Sequence, residues 1–200
     1  VNSKQTNKPH VLVDFDRTLL DTDLFIDELW RAIATEYGVD PEYEKQRATS
    51  FYEFFGDWYD YQFFDHIAAI PEITHTQAEF EANIRARLSS KQFLFSDAEP
   101  TLNLYDEILT FGNHAYQRFK LSMCPELRDI PVTIIREMKA DYVKHHYQAP
   151  LVLIDDKRLE DELPEWVDFY LIDRTQEAAV VRHSDSFISI SSLRELKGLL

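Results

Sequence analysis

The sequence predicts an α/β protein, a mostly parallel, doubly wound sheet interrupted by an all-helical insert. Three observations predict it. Short apolar runs recur at residues 11–13, 130–135, 151–154 and 169–172, without the polar alternation of a half-solvated strand. Helix-period segments separate the later runs, as parallel crossovers require. Between the first run and the next, residues 23–94 carry helical periodicity and no strand signal.

Taken in order, residues 1–10 are polar and read as a loose lead-in without the apolar core of a signal peptide. Val11, Leu12 and Val13 form the first strand, running into Asp14-Phe15-Asp16-Arg17-Thr18. Asp23 caps a helix with Leu24, Phe25, Leu29, Ile33 and Tyr37 on its stripe and Gly38 as its stop. Asp40-Pro41 opens a second helix, a cap followed by Pro at the first helical position. A third is expected over residues 57–69 and a fourth over 74–89. The crowded aromatics of residues 51–64 read as bundle core, with Phe51, Phe55 and Trp58 spaced i, i+4, i+7. Strands then return at 107–110, 130–135, 151–154, 169–172 and 187–190, with helices at 114–123, 137–147 and from Ser191. The division expected is a sheet domain of residues 1–22 plus 96–200, with the helical block over 23–95.

Composition narrows the function classes. With 200 residues, 44% of them hydrophobic and 28% charged, the chain can bury a sizeable core. A net charge of −15 argues against a nucleic-acid or anionic-membrane surface. A small anionic substrate stays open if a metal or a local lysine offsets the field. No stretch is long and apolar enough for a membrane span. Cys124 is the only cysteine, which allows no intrachain disulfide and suits a reducing, cytoplasmic setting.

The acids at the strand ends carry the chemistry. Asp14 and Asp16, spaced i, i+2, would share one face at the end of the first strand. Alone, such a pair is more often a turn cap than a site. However, a second strand ends in Thr110, and a later one runs into Asp155-Asp156, with Lys139 and Lys144 on the helix before it. In a parallel sheet these C-terminal ends lie along one edge, where open α/β sheets bind ligands. Carboxylates for a hard cation, a hydroxyl and an ammonium are the parts a phosphoryl-transfer site needs.

With those residues in place, the chain resembles the haloacid dehalogenase (HAD) superfamily on its phosphatase side. Asp14-Phe15-Asp16-Arg17-Thr18-Leu19 is similar to the family's first motif, Thr110 to the second, a lysine to the third and Asp155-Asp156 to the fourth. The resemblance implies a Rossmann-like core, with the helical block as a C1-type cap. It implies Asp14 as nucleophile, forming an aspartyl-phosphate, and Asp16 as general acid and then general base. It implies Mg2+ held by Asp14, the main-chain carbonyl of Asp16 and one of Asp155 and Asp156. Thr110 and the amides near Gly112 and Asn113 would bind phosphoryl oxygens. Lys139 is preferred for the phosphate-facing ammonium, with Lys144 as the alternative and Lys120 behind both. Arg17 stands where the family often has a small residue, placed to contact substrate or to pair with Asp21 or Asp23. The function implied is Mg2+-dependent hydrolysis of a small-molecule phosphate ester. A phosphomutase, or a silent phospho-ligand-binding protein of the same fold, is the alternative.

Overall fold

The computed structural model describes residues 8–56, 58–159 and 161–200. Residues 1–7 of the expected lead-in therefore lie outside it, as do Asp57, the expected start of the third helix, and Glu160. The described chain forms two compact units. One comprises the described residues of Val1–Leu20, Leu94–Phe111 and Arg128–Leu200; the other comprises those of Asp21–Phe93 and Gly112–Leu127.

The first unit is built on a seven-stranded sheet. Its strands are β1 (His10–Val13), β4 (Glu107–Phe111), β5 (Val132–Ile135), β6 (Leu151–Asp155), β7 (Val167–Ile172), β8 (Val180–Arg182) and β9 (Phe187–Ile190). Their spatial order is β5-β4-β1-β6-β7-β9-β8, and every pairing is parallel except β8 with β9. The central strands β1 and β6 are buried along almost their whole length, which is why they read as unbroken apolar runs rather than alternating ones. The short helix α6 (Lys139–His146) makes the crossover between β5 and β6. In place of a final helix from Ser191 the chain makes a 3-10 segment, Leu193–Gly198, capped by Ser192. The sequence reading had no strand at β8. It has only three residues and lies on the sheet edge, too short for a period to register.

The second unit holds α1 (Thr22–Tyr37), α2 (Pro41–Arg47), β2 (Tyr52–Phe55), β3 (Trp58–Tyr61), α3 (Phe63–Ala68), α4 (Gln77–Leu88) and α5 (His114–Leu121). Its helix ends follow local capping chemistry. Asp21, not Asp23, caps α1 by accepting from Leu24 N–H at 3.0 Å, and Gly38 closes it at φ 74°. Asp40 caps α2 ahead of Pro41, and Thr76 with Glu79 forms a reciprocal capping box on α4.

The insert is not all-helical, and this corrects the sequence reading. Where a helix was expected from residue 57, β2 and β3 form an antiparallel hairpin pairing Tyr52 with Tyr61 and Phe54 with Tyr59. Gly56, at φ 61°, opens the connection between them. A Gly-Asp pair between two aromatic runs is itself a hairpin signal, outweighed in the sequence reading by an apparent helical spacing. The expected core stripe of Phe51, Phe55 and Trp58 does not exist, because its members sit on a 3-10 segment, Ala48–Phe51, and two different strands. The aromatic core is Phe25, Phe63, Phe80, Phe93 and Phe119, each at most 2% exposed. Phe63 lies 5.9 Å from Phe119 and 6.0 Å from Phe80, ring centre to ring centre. Among the described residues, no helix is long and apolar enough to cross a membrane.

Candidate active site

The site is assembled from the ends of adjacent parallel strands. The register of β1 on β6 pairs Val13 with Ile154, and the Asp14 N–H continues the ladder to the Ile154 carbonyl at 2.9 Å. Asp14 and Asp155 therefore emerge side by side. Asp14, Asp155 and Asp156 each present a carboxylate oxygen, and these three atoms lie within 4.8 Å of one another. Asp14 and Asp155 are buried, and Asp156 is half-buried.

Lys139, the first residue of α6, places its ammonium between two of these acids. It donates to Asp14 Oδ1 at 2.7 Å and also to Asp155 Oδ2. Lys139 is buried, whereas Lys144, on the same helix, is exposed. Asp14 Oδ2 accepts from the Thr18 hydroxyl at 3.3 Å, and Asp155 Oδ1 from the Lys157 N–H at 2.8 Å. Both groups of Asp155 and both oxygens of Asp14 are thus held by named partners, which fixes their direction.

The charge balance is strained without a cation. Burial pushes the Asp14 carboxyl up to about 7, with Lys139 pulling against it and the Asp155 and Asp156 charges adding to it. Asp156 is pushed up to about 6, by burial first and by Asp155 next, against Lys157, Lys139 and Arg17. Burial alone would lower the Lys139 ammonium, but Asp14 and Asp155 outweigh it and hold it above its ordinary value. Three carboxylates gathered around one buried ammonium, with Lys157 and Arg17 acting on Asp156 as well, make a site whose negative charge a divalent cation would offset. An all-oxygen donor set suits a hard ion such as Mg2+ or Ca2+ better than a soft one. Thr110, two residues past the Val13–Ile108 pairing on the neighbouring strand, has its hydroxyl buried with no hydrogen-bond partner among the described residues. Such an orphaned donor fits an oxyanion ligand. The residues present therefore fit both a divalent cation and a phosphoryl group.

The other residues singled out from sequence stand outside the three-acid cluster. The strand ends at Val13, ahead of both acids of the Asp-x-Asp pair, so their i, i+2 spacing does not place them on one strand face. Asp16 is half-buried, its backbone bridging to Leu20, and its carboxylate is outside the three-acid cluster. Arg17 is exposed and takes φ 60°, the left-handed region. That conformation favours glycine, a physical reason for a small residue at this position. Gly112 and Asn113 group with the second unit. The Asn113 side chain caps α5, and its backbone N–H donates to Asp60 Oδ1 at 2.6 Å. At Gly112, φ is 140°, a conformation that strains any residue with a side chain, and an added Cβ would also push on the end of the Gln117 side chain, 2.8 Å away at Nε2. Lys120 is buried on α5 with its ammonium over the Tyr116 ring. Thr18 was not expected as a site residue. Its signal was the i+4 spacing from Asp14, which reaches back across the turn closed by Leu19 and Leu20 N–H on the Phe15 carbonyl.

No protein-family model and no curated protein matches the sequence. Solved structures do match the fold. A haloacid dehalogenase-like hydrolase from Burkholderia xenovorans LB400 superposes with a TM-score of 0.62 at 18% identity, covering 96% of this chain and 97% of that one. The HAD-hydrolase YfnB from Bacillus subtilis, bound to magnesium, gives 0.58 at 16% identity over 96% and 99%. The L-2-haloacid dehalogenase of Xanthobacter autotrophicus gives 0.54 at 12% identity over 95% and 97%. At these identities the likeness is one of fold, the Rossmann-like α/β fold of HAD-like hydrolases, and the chemistry rests on the site residues.

Proposed function

We propose that this protein is a HAD-type, Mg2+-dependent phosphatase that hydrolyses a small phosphate ester through an aspartyl-phosphate on Asp14. The observation that carries the reading is the Asp14 carboxylate, fixed by Lys139 at 2.7 Å and clustered with Asp155 and Asp156 at the ends of β1 and β6. A divalent cation bound by the three acids would draw charge off the phosphoryl oxygens and keep Asp14 ionised beside its neighbours. Asp14 attacks phosphorus, the P–O ester bond breaks, and its electron pair leaves with the departing oxygen. Asp16 gives that oxygen a proton and then takes one from water, whose oxygen attacks the same phosphorus. Inorganic phosphate leaves, and the Asp14 carboxylate is regenerated. Lys139 offsets charge at the phosphoryl group, and the unpartnered Thr110 hydroxyl donates to one of its oxygens. The dehalogenases of the superfamily lack the second acid of the first motif, so Asp16 favours phosphate chemistry.

The test is hydrolysis of p-nitrophenyl phosphate with and without Mg2+, in wild type and Asp14→Asn. Mg2+-dependent release that falls at least ~1,000-fold in the variant is the expected result for loss of a nucleophile. Activity surviving in Asp14→Asn would refute the nucleophile. Phosphate transfer to a second sugar phosphate without release to water would favour a mutase. Binding of phosphate without turnover on a panel of phosphorylated metabolites would favour a silent binding protein.

A further inference from the structure

A second set of part-buried polar contacts in the first unit holds the turn that carries Thr18. Arg174, two residues past the end of β7, donates through Nη2 to the Thr18 carbonyl at 2.9 Å and through Nη1 to Asp97 Oδ2 at 2.6 Å. Its guanidinium lies 3.8 Å from the centre of the Phe95 ring, and the Phe95 N–H donates to the Leu19 carbonyl at 2.9 Å. Asp97 Oδ2 also accepts from the Ser192 hydroxyl at 2.9 Å and the Leu193 N–H at 3.0 Å. Burial alone would raise the Asp97 carboxyl. The Arg174 and Leu193 donors outweigh it, so it stays ionised opposite the guanidinium.

From this we infer that Arg174, locked in place by Asp97, is a positioning residue for the proposed nucleophile, acting through the Thr18 turn. This role of Arg174 rests on the phosphatase reading only for what Asp14 does; its hold on the Thr18 turn stands without it. The segment after β1 is held at its carbonyls by two donors from distant chain, Arg174 on Thr18 and Phe95 on Leu19. The Thr18 hydroxyl in turn meets Asp14 Oδ2 at 3.3 Å. Within this turn Arg17 sits at φ 60°, a conformation a non-glycine residue keeps only when its surroundings over-determine it. A planar fork that reaches a carboxylate and a carbonyl at once while stacking on a ring is specific to arginine. Removing it frees the Thr18 carbonyl while leaving β1, β6 and Lys139 untouched, so Asp14 loses direction without losing its charge partner.

Two readouts test this, one of which needs no activity. Hydrogen exchange at the Leu19 and Leu20 amides, bonded to Phe15, is compared between wild type, Arg174→Ala, Arg174→Lys and Ser192→Ala. Arg174→Ala is expected to speed those two amides at least ~10-fold while the β1 and β6 amides keep their protection. Arg174→Lys, which retains the charge on one nitrogen, is expected to fall between, and Ser192→Ala, which removes one of the donors to Asp97 Oδ2, to speed the two amides less than Arg174→Ala. Where p-nitrophenyl phosphate is turned over with Mg2+, Arg174→Ala is expected to lower kcat ~10–100-fold with KM within ~3-fold. Unchanged exchange at Leu19 and Leu20 would overturn the inference. So would a uniform rise across the sheet, since that marks a purely structural role. If wild type hydrolyses nothing, the phosphatase reading fails, while the exchange data still decide whether Arg174 holds the Thr18 turn.

Discussion

Lys139 stands between two buried carboxylates, and its energetic weight follows from what its removal leaves behind. Without it, Asp14 and Asp155 would face each other with no cation, and losing one partner of a buried ion pair costs more than the pair contributes. Lys139→Met keeps most of the volume and deletes the charge. In EDTA at pH 7.5 it is expected to lower unfolding free energy by ~3–5 kcal/mol in urea titration. A loss under ~1 kcal/mol would mean that the two acids are protonated or hydrated in the native protein. Lys139 itself was legible as one of two candidate lysines, since both precede the strand that ends in Asp155-Asp156. Between the two the sequence favours Lys139, which stands soon after the preceding strand and near the sheet edge. The contact itself depends on where α6 starts relative to β5, a boundary that sequence patterns place only to within a few residues.

At the scale of elements, the difference between helix and hairpin in the insert comes down to one turn. Gly56, at φ 61°, supplies a backbone conformation that alanine adopts only under strain, and among the described residues, chain neighbours aside, no atom lies within 4 Å of the position an added Cβ would take. The cost of Gly56→Ala is therefore backbone alone. We expect a loss of ~1 kcal/mol, read by urea unfolding, together with faster hydrogen exchange in β2 and β3. A variant as stable as wild type would show that the hairpin contributes nothing to the cooperative unit. The helices α1, α2 and α4 were largely legible because caps and apolar period are local properties. The hairpin hid because aromatic residues this dense satisfy a helical stripe and a strand pair at once.

At the scale of the whole molecule, a chain of net charge −15 packs three acids into one site, so its stability should answer to protons and to divalent cations. Asp14 and Asp156 have native values raised to about 7 and about 6, above the unfolded 3.8. The stabilisation that protonating them gives is full below pH 3.8 and is lost as pH rises through about 6 to 7. A cation competes with those protons, so its stabilising effect must grow over the same window. The buried His66 of the second unit works in the opposite sense. Burial lowers it below its ordinary value despite Glu44, so acidification destabilises the fold there. The difference in melting temperature with and without 5 mM Mg2+ (about a hundredfold excess over protein) cancels that background. It is expected to be larger at pH 8 than at pH 5.5, and Asp14→Asn is expected to abolish most of it. An increment independent of pH would place Mg2+ somewhere other than the three acids.

The sequence by itself determined the parallel sheet, since strands buried on both faces must be continuously apolar. It also determined that acids stand at two strand ends, because those positions are read directly off the runs. Only the tertiary structure decided which acids meet. Asp14 joins Asp155 and Asp156 through the register of β1 on β6, while Asp16, closest to Asp14 in sequence, stays outside the cluster. It likewise decided the support behind them: Arg174 reaches Thr18 across 156 positions and Asp97 across 77. Contacts of that span leave no periodicity or spacing in the chain. They exist because strands from distant segments end along one edge of a sheet, and the buried polar groups left there must find partners.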